Sequence, residues 1–347
     1  MAYWQNIIMK KYLYIILFTL LSLTFVTSCL EDPENEFVSM KGTLTVNLEI
    51  PEYVEPGDTF NLNISGITEP ADVEYSWASP FLKDTLEQAD YFLVIPDTTG
   101  HYTITGIAFK KGYYSSIVNC EFEVIVAEEG RSIKGLVFNP EGGAILDRRD
   151  GQIYKTTPIG NLEWFAENLN WQETGTSYID LKALGSVYGR LYTWEEATLG
   201  EEGKGLGGGP QGICPEGWSI PTNEDWVDFA TAHNNGIPLP FVDEWSRIGE
   251  RATSDARFIG ERFWPYSPDN MHENTLYWNA LPGGNSTYKH TIFGGKDNYG
   301  FWWSSTKSKE NMAYYRYIFF DTHTMPMNHG LIDDFGASVR CVRLLEK

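Results

Sequence analysis

The sequence predicts an all-β sandwich followed by a loop-rich α+β domain, and 347 residues are enough for two domains. Three observations carry that prediction. Residues 42–127 alternate apolar and polar side chains in short runs, each closed by a turn signal. Aromatic residues make up 15% of the chain and glycines number 33, a mixture that suits short strands and long loops better than helical bundles. Beyond residue 145, two helix starts stand among segments that are otherwise rich in turns.

At the N-terminus, Lys10 and Lys11 precede a nearly unbroken apolar run, Tyr12 to Val26. A run of about fifteen residues falls short of the roughly twenty that a membrane helix needs, and it fits the core of a signal peptide over residues 1–28. Val26-Thr27-Ser28-Cys29 resembles a bacterial lipobox. That resemblance implies cleavage before Cys29 and alkylation of its thiol with diacylglycerol. An uncleaved anchor and a signal peptide with a coincidental cysteine are the alternatives. One acyl chain holds a protein only marginally, whereas a lipobox cysteine carries two or three.

Residues 29–41 read as a solvated tether, because Leu30-Glu31-Asp32-Pro33-Glu34-Asn35-Glu36 is acidic and lacks an apolar pattern. The tract is similar to the acidic stretch that directs Bacteroidota-type lipoproteins to the outer face of the outer membrane. A spacer on a periplasm-facing lipoprotein is the alternative. The formal net charge is −21, and loss of residues 1–28 removes two lysines and no acid, which brings it near −23. Such a charge argues against nucleic acid and against adsorption onto anionic lipid. It is compatible with neutral glycans, calcium or protein partners.

The first domain is expected over 42–127. Leu44, Val46, Leu48 and Ile50 fall on one face, then Phe60, Leu62 and Ile64 after the turn Pro56-Gly57-Asp58. Val73, Tyr75 and Trp77 form a third strand, and Tyr91 to Ile95 is a continuous apolar run. Tyr102 and Ile104 follow Gly100, and Val118, Cys120, Phe122, Val124 and Val126 make the cleanest strand. The segment is similar to bacterial immunoglobulin-like or PKD-like modules, which serve mostly as spacers. Cys120 lies on the apolar face and reads as a buried free thiol. Residues 128–144 are expected to be a linker.

The second domain spans 145–347. Thr222 precedes Asn223-Glu224-Asp225-Trp226, so Thr222 can cap a helix whose first turn is acidic, with Asp225 three residues on. Trp226, Phe229 and Ala230 then share a face. A second helix is expected from Thr193 to Leu199, with Glu195 and Glu196 near its start, and the glycine-rich stretch 200–212 must be loop. The ordered motifs are Asp150-Gly151-Gln152-Ile153-Tyr154, Trp164-Phe165-Ala166-Glu167-Asn168-Leu169, Tyr188-Gly189-Arg190-Leu191-Tyr192-Thr193-Trp194, and Cys214-Pro215-Glu216-Gly217-Trp218. They continue with Ala280-Leu281-Pro282-Gly283-Gly284, Gly300-Phe301-Trp302-Trp303-Ser304-Ser305-Thr306 and Gly336-Ala337-Ser338-Val339-Arg340-Cys341-Val342-Arg343. Together they resemble the Fibrobacter succinogenes major paralogous (FISUMP) domain over roughly residues 145–345. The resemblance implies a variant of the C-type-lectin-like fold in a secreted or surface lipoprotein. Its motifs place Cys214 and Cys341 near the core of one domain, which implies a disulfide in an oxidising compartment.

Chemistry is not expected. The related formylglycine-generating enzymes use a close cysteine pair and a metal, and this pair sits where a staple would. Acidic pairs such as Glu195/Glu196 and Asp333/Asp334 carry no hydrolase signal in so acidic a chain. His323 and His329 have the spacing of scattered surface histidines, so no metal is expected there. The expected role is glycan recognition or adhesion, with Trp264, Tyr266, Tyr277, Trp278, Asn279, Asn285 and Tyr288 as ligand-binding residues in the loop-rich half. Trp278-Asn279 is similar to the start of a lectin calcium motif, but Ala280 stands where the aspartate belongs. The alternatives are a structural or accessory subunit of a pilus or cell-envelope assembly that binds protein, and an unrecognised enzyme.

Overall fold

A computed structural model describes residues 37–82, 86–128 and 130–346. The expected signal peptide, the expected lipid site Cys29 and most of the expected acidic tether lie outside the described residues. The fold is mostly β-sheet with short helices. Strands of three or more residues are numbered here in chain order.

In the N-terminal part, β1 (Lys41–Val46), β2 (Thr59–Glu69) and β4 (Asp90–Val94) form one sheet in the order β1-β2-β4. A second sheet orders the short Tyr53–Val54 strand, β6 (Ser116–Val124), β5 (Gly100–Phe109) and β3 (Glu74–Ala78). The two sheets bury Leu62 and Ile64 on one side and Trp77, Ile104 and Ala108 on the other. Gly106 lets them approach: a Cβ there would press on Ile64 of the facing sheet and on Val118 and Trp77.

Three details depart from the sequence reading. β1 stops at Val46, and Leu48 is exposed. The apolar run Tyr91–Ile95 is an edge strand whose alternate residues Phe92 and Val94 face outward. Cys120 is free but only half-buried, and burial pushes its thiol pKa up.

By contacts the chain divides into two compact units. One takes in the described residues up to Leu48 with Asn61–Tyr91 and Ile104–Asn119, and the other takes in Glu49–Phe60, Phe92–Thr103 and everything from Cys120. The second unit therefore recruits one end of the strand region. Ile125 belongs to its core, Tyr53 packs on Phe258 with ring centroids 6.0 Å apart, and Lys182 pairs with Glu55 at 2.7 Å. The stretch expected as a linker is folded: Ile133 is buried, and Ile133–Lys134 pairs with Arg257–Phe258.

The rest of the second unit is built on two sheets. β7 (Ala144–Leu146), β8 (Ile153–Ile159), β9 (Leu162–Phe165) and β15 (Val342–Leu344) form an antiparallel sheet in that order. A six-stranded sheet runs Glu244–Trp245, β14 (Met325–Leu331), β13 (Met312–Phe319), β12 (Tyr299–Lys309), β10 (Gly283–Thr287), β11 (Ile292–Lys296). The helices are α1 (Lys182–Tyr188), α2 (Trp194–Thr198), α3 (Asn223–His233) and α4 (Ile248–Ala252).

Both expected helix starts are closed by full capping boxes. Thr193 and Glu196 exchange hydrogen bonds at α2, and Thr222 and Asp225 do so at α3. The glycine stretch 200–212 is loop, but a closely fitted one. Gly207 N–H donates to Asp225 at 2.7 Å, and a Cβ on Gly209 would strike the Ile220 carbonyl.

Two cores result. One stacks Trp164, Trp226, Phe229, Trp278 and Trp302, with neighbouring centroids about 5 Å apart, the distance at which tilted and edge-on aromatic contacts are favourable. The other surrounds the Cys214–Cys341 disulfide, whose Cα atoms are 5.9 Å apart, with Trp194, Trp218 and Trp303.

Candidate functional site

Four sequence motifs meet at one buried cation. Arg340 is 1% exposed. Its Nε donates to Asn168 Oδ1 at 2.6 Å, Nη1 donates to the Phe165 and Trp278 carbonyls, and Nη2 donates to the Asn279 carbonyl at 2.9 Å. The guanidinium also lies 4.6 Å from the Trp278 ring centroid. Burial lowers its pKa to about 9 against the opposing charge of Glu167. The planar fork suits this task because four of its five N–H groups find fixed acceptors. Asn168 completes the network: Oδ1 also accepts from Trp302 Nε1 at 2.9 Å, and Nδ2 donates to the Tyr188 carbonyl at 2.7 Å.

This network forms the floor of a cavity of about 490 Å³. Part of the lining is apolar: Ile133, Leu136, Phe138, Val187 and Leu281. Part is polar: Gln152, Lys155, Glu167 and Asn170, with Ser186 contributed by α1. The polar groups are pre-organised. Gln152 Nε2 donates to the Asn170 carbonyl at 2.8 Å, and Asn170 Nδ2 donates to Gln152 Oε1 at 3.0 Å. Glu167 accepts from the Lys155 N–H at 2.6 Å, and burial raises its carboxyl pKa against that bond and the Arg340 charge. The cavity can offer a bound molecule both apolar contact and hydrogen-bonding groups.

Two of the residues expected to bind ligand lie in the core. Trp264 and Trp278 are 1% and 0% exposed and belong to the core, so they offer no face to a ligand. Asn279 lines the cavity, but its amide is spent on Val137, Tyr277 and Asn274. Tyr266 and Tyr288 are strongly exposed, and Tyr277 and Asn285 are half-buried. The error has a physical cause: turn-rich neighbours mark a loop, but not whether its aromatics point outward. Sequence reasoning missed Glu167, Asn168 and Arg340 as a unit, although each lies inside a quoted motif. Among the described residues, no group of three or more acidic, His or Cys side chains is placed to hold a metal.

A second cluster has the outline of a nucleophile chain. Ser286 Oγ lies 2.7 Å from His290 Nδ1, and His290 Nε2 lies 2.9 Å from Glu196 Oε2. Ser286 is 0% exposed, and Gly336 sits directly over the Ser286–His290 pair. No substrate carbonyl can approach that oxygen. The chain instead ties the α2 cap to the β10–β11 turn, where Tyr288, Lys289 and His290 all adopt left-handed φ.

The sheets, the disulfide and the Arg340 network define a disulfide-stapled, mostly β-sheet domain built around a buried arginine. The chain belongs to the Fibrobacter succinogenes major domain family, whose model matches residues 158–343. No curated protein matches the sequence. Among solved structures, the chain is similar to a fimbrial protein from Bacteroides ovatus ATCC 8483, at 10% identity over 87% of this chain and 70% of that one. The TM-score of 0.19 does not establish a common fold.

Proposed function

We propose that the protein is a lipid-anchored recognition protein of the bacterial cell surface that binds a glycan without turning it over. In this reading the N-terminal strands form an immunoglobulin-like module. The C-terminal domain is a C-type-lectin-like variant, and acylated Cys29 holds the chain in the outer membrane, facing outward. The observation that carries the ligand class is the cavity, whose lining combines apolar side chains with polar ones held by their own hydrogen bonds. A pyranose has the same combination, with C–H bonds on its flat face and hydroxyls at its rim. The strongly negative net charge supports a neutral sugar over an acidic one.

The test is a glycan and mucin array probed with the purified protein and with Ser186→Trp, which fills the cavity from α1. A saturable hit lost in the variant supports the reading. A clean negative, with the protein captured instead by an envelope protein, would replace it with the assembly-subunit alternative.

A further inference from the structure

A second cavity, of about 700 Å³, lies within the second unit and shares no lining residue with the cavity over Arg340. Aromatic rings supply much of its apolar lining: Tyr53, Phe122, Tyr188, Phe258 and Phe263. Tyr188 meets Phe263 and Phe258 edge-on, at 5.4 and 6.2 Å. The charged lining is one-sided. Glu49, Glu52, Glu121, Glu123, Glu261 and Asp297 supply carboxylates, and Arg262 and Lys296 are the permanent cations. Arg262 is committed to Asp255 at 2.9 Å and Lys296 to Asp297 at 2.6 Å. Among the described residues, Glu49, Glu52, Glu121 and Glu261 have no cation partner. Strand pairing creates the crowding: Tyr53–Val54 runs parallel to Glu123–Val124, and the Glu123 N–H donates to the Glu52 carbonyl at 2.8 Å. Like charges on neighbouring strands cost stability unless a cation offsets them. Burial, a hydrogen bond with Glu52 and the charges of Glu52, Asp297 and Glu123 together push the Tyr53 hydroxyl up to about 12, so the negative field reaches into the cavity.

The protein itself seats one cation here. Lys296 Nζ lies 5.5 Å from the Tyr188 ring centroid and donates to Asp297 Oδ2 at 2.6 Å, while the Tyr188 hydroxyl donates to Asp297 Oδ1 at 2.9 Å. A ring face and a carboxylate thus hold an alkylammonium group between them. We propose that this cavity receives further primary alkylammonium groups carried on a flexible chain, whether the lysine side chains of a polypeptide or a free polyamine. Three observations select that ligand. The volume falls in the range of ligand sites and far exceeds a single ion. The carboxylates are spread along the lining, and among the described residues no three acidic, His or Cys side chains are grouped to hold a metal. Rings stand between the carboxylates, and an alkyl stem covers a ring while its charged end reaches an acid, as Lys296 does on Tyr188.

The experiment is isothermal titration of the purified full-length protein with spermidine and with tetralysine at low ionic strength. Saturable binding of at least one probe is expected, weakening as salt is raised. Tighter binding of tetralysine names a polypeptide as the source of the ammonium groups, and tighter binding of spermidine names a polyamine. Glu52→Gln and Glu121→Gln should each weaken binding by up to about fivefold, the range of an exposed ion pair. Tyr53→Leu should do the same through loss of the ring face. Lys296→Met should tighten binding, because it frees Asp297 and the Tyr188 ring for the ligand. Glu310→Gln, an exposed carboxylate at the other end of β12, should leave the affinity unchanged, which separates a site from general attraction to a chain of net charge −21. Ser186→Trp should also leave it unchanged, so the outcome does not depend on the glycan reading. Failure of both probes to saturate overturns the proposal, as does a Glu310→Gln effect equal to that of Glu52→Gln. So does displacement of the probes by calcium at equal concentration, which would make the carboxylates a metal site.

Discussion

Replacing Asn168 by Ala should be among the most damaging single changes in the C-terminal domain. The side chain is 8% exposed and makes four hydrogen bonds, to Arg340, Trp302, Tyr188 and Ser338. Alanine leaves Arg340 Nε and Trp302 Nε1 buried with no acceptor, and the Tyr188 carbonyl without this donor. A lost bond to a charged group costs about 1.5–3 kcal/mol, and a stranded neutral donor or acceptor about 1–3 kcal/mol. Non-additivity within one network reduces the sum, so roughly 4–6 kcal/mol is expected. Asn168→Asp is the control. It keeps the acceptor facing Arg340 and Trp302 and loses the donors to Tyr188 and Ser338, so it should cost less than half as much. The assay is urea unfolding followed by tryptophan fluorescence. A cost below about 1 kcal/mol for alanine, or aspartate worse than alanine, would refute the view that Arg340 depends on this amide.

Reducing the Cys214–Cys341 bridge, or replacing both residues by serine, frees a loop of sequence separation 127. In the chain-entropy model this removes on the order of 4–5 kcal/mol, read as a lower unfolding midpoint on adding reductant. His233 is lowered to about 4, chiefly by burial, so the folded chain resists a proton that the unfolded chain accepts below about 6.5. Its contribution is complete above pH 6.5 and is lost as pH falls through 4, and His233→Phe should flatten stability over that window. For Glu196, burial pushes the carboxyl up, but hydrogen bonds from His290 and Thr193 outweigh it and hold it at about 2. Its contribution is present above pH 4.5 and drains as pH falls towards 2, a loss that Glu196→Gln should remove from the acid limb of the unfolding curve. Cys29→Ala should move the protein from the membrane pellet to the soluble fraction, and unchanged fractionation would dispose of the lipid anchor.

The parts of the fold legible in the sequence were those written in local chemistry. Thr222 with Asp225, and Thr193 with Glu196, announce their helices because a capping box needs only four consecutive residues. By contrast α1 begins after Leu181, with no side-chain cap, and contains Gly185, so nothing local marks it. α4 begins after Arg247 in a left-handed conformation and is equally silent. The fate of Trp278 was illegible for a different reason. Its burial depends on Arg340, 62 residues away, whose guanidinium both covers the ring and takes its carbonyl.

That distance effect also separates what the motifs encode from what they leave open. Asn168, Trp302, Arg340 and Cys341 carry the family resemblance, and all are buried in a network or a disulfide. They fix the sheet packing and the cavity floor, and they have almost no valence left for a ligand. Under the glycan-binding proposal, the groups that would discriminate one sugar from another come from Leu136, Phe138, Lys155 and Ser186, outside the quoted motifs. Family membership therefore constrains the scaffold strongly and the ligand weakly. A substitution such as Lys155→Glu or Phe138→Ala should change which glycan binds while leaving the unfolding midpoint nearly untouched, and Arg340→Lys should do the reverse. A Lys155 variant that unfolds the domain, or an Arg340 variant that merely switches ligands, would show this division of labour to be false.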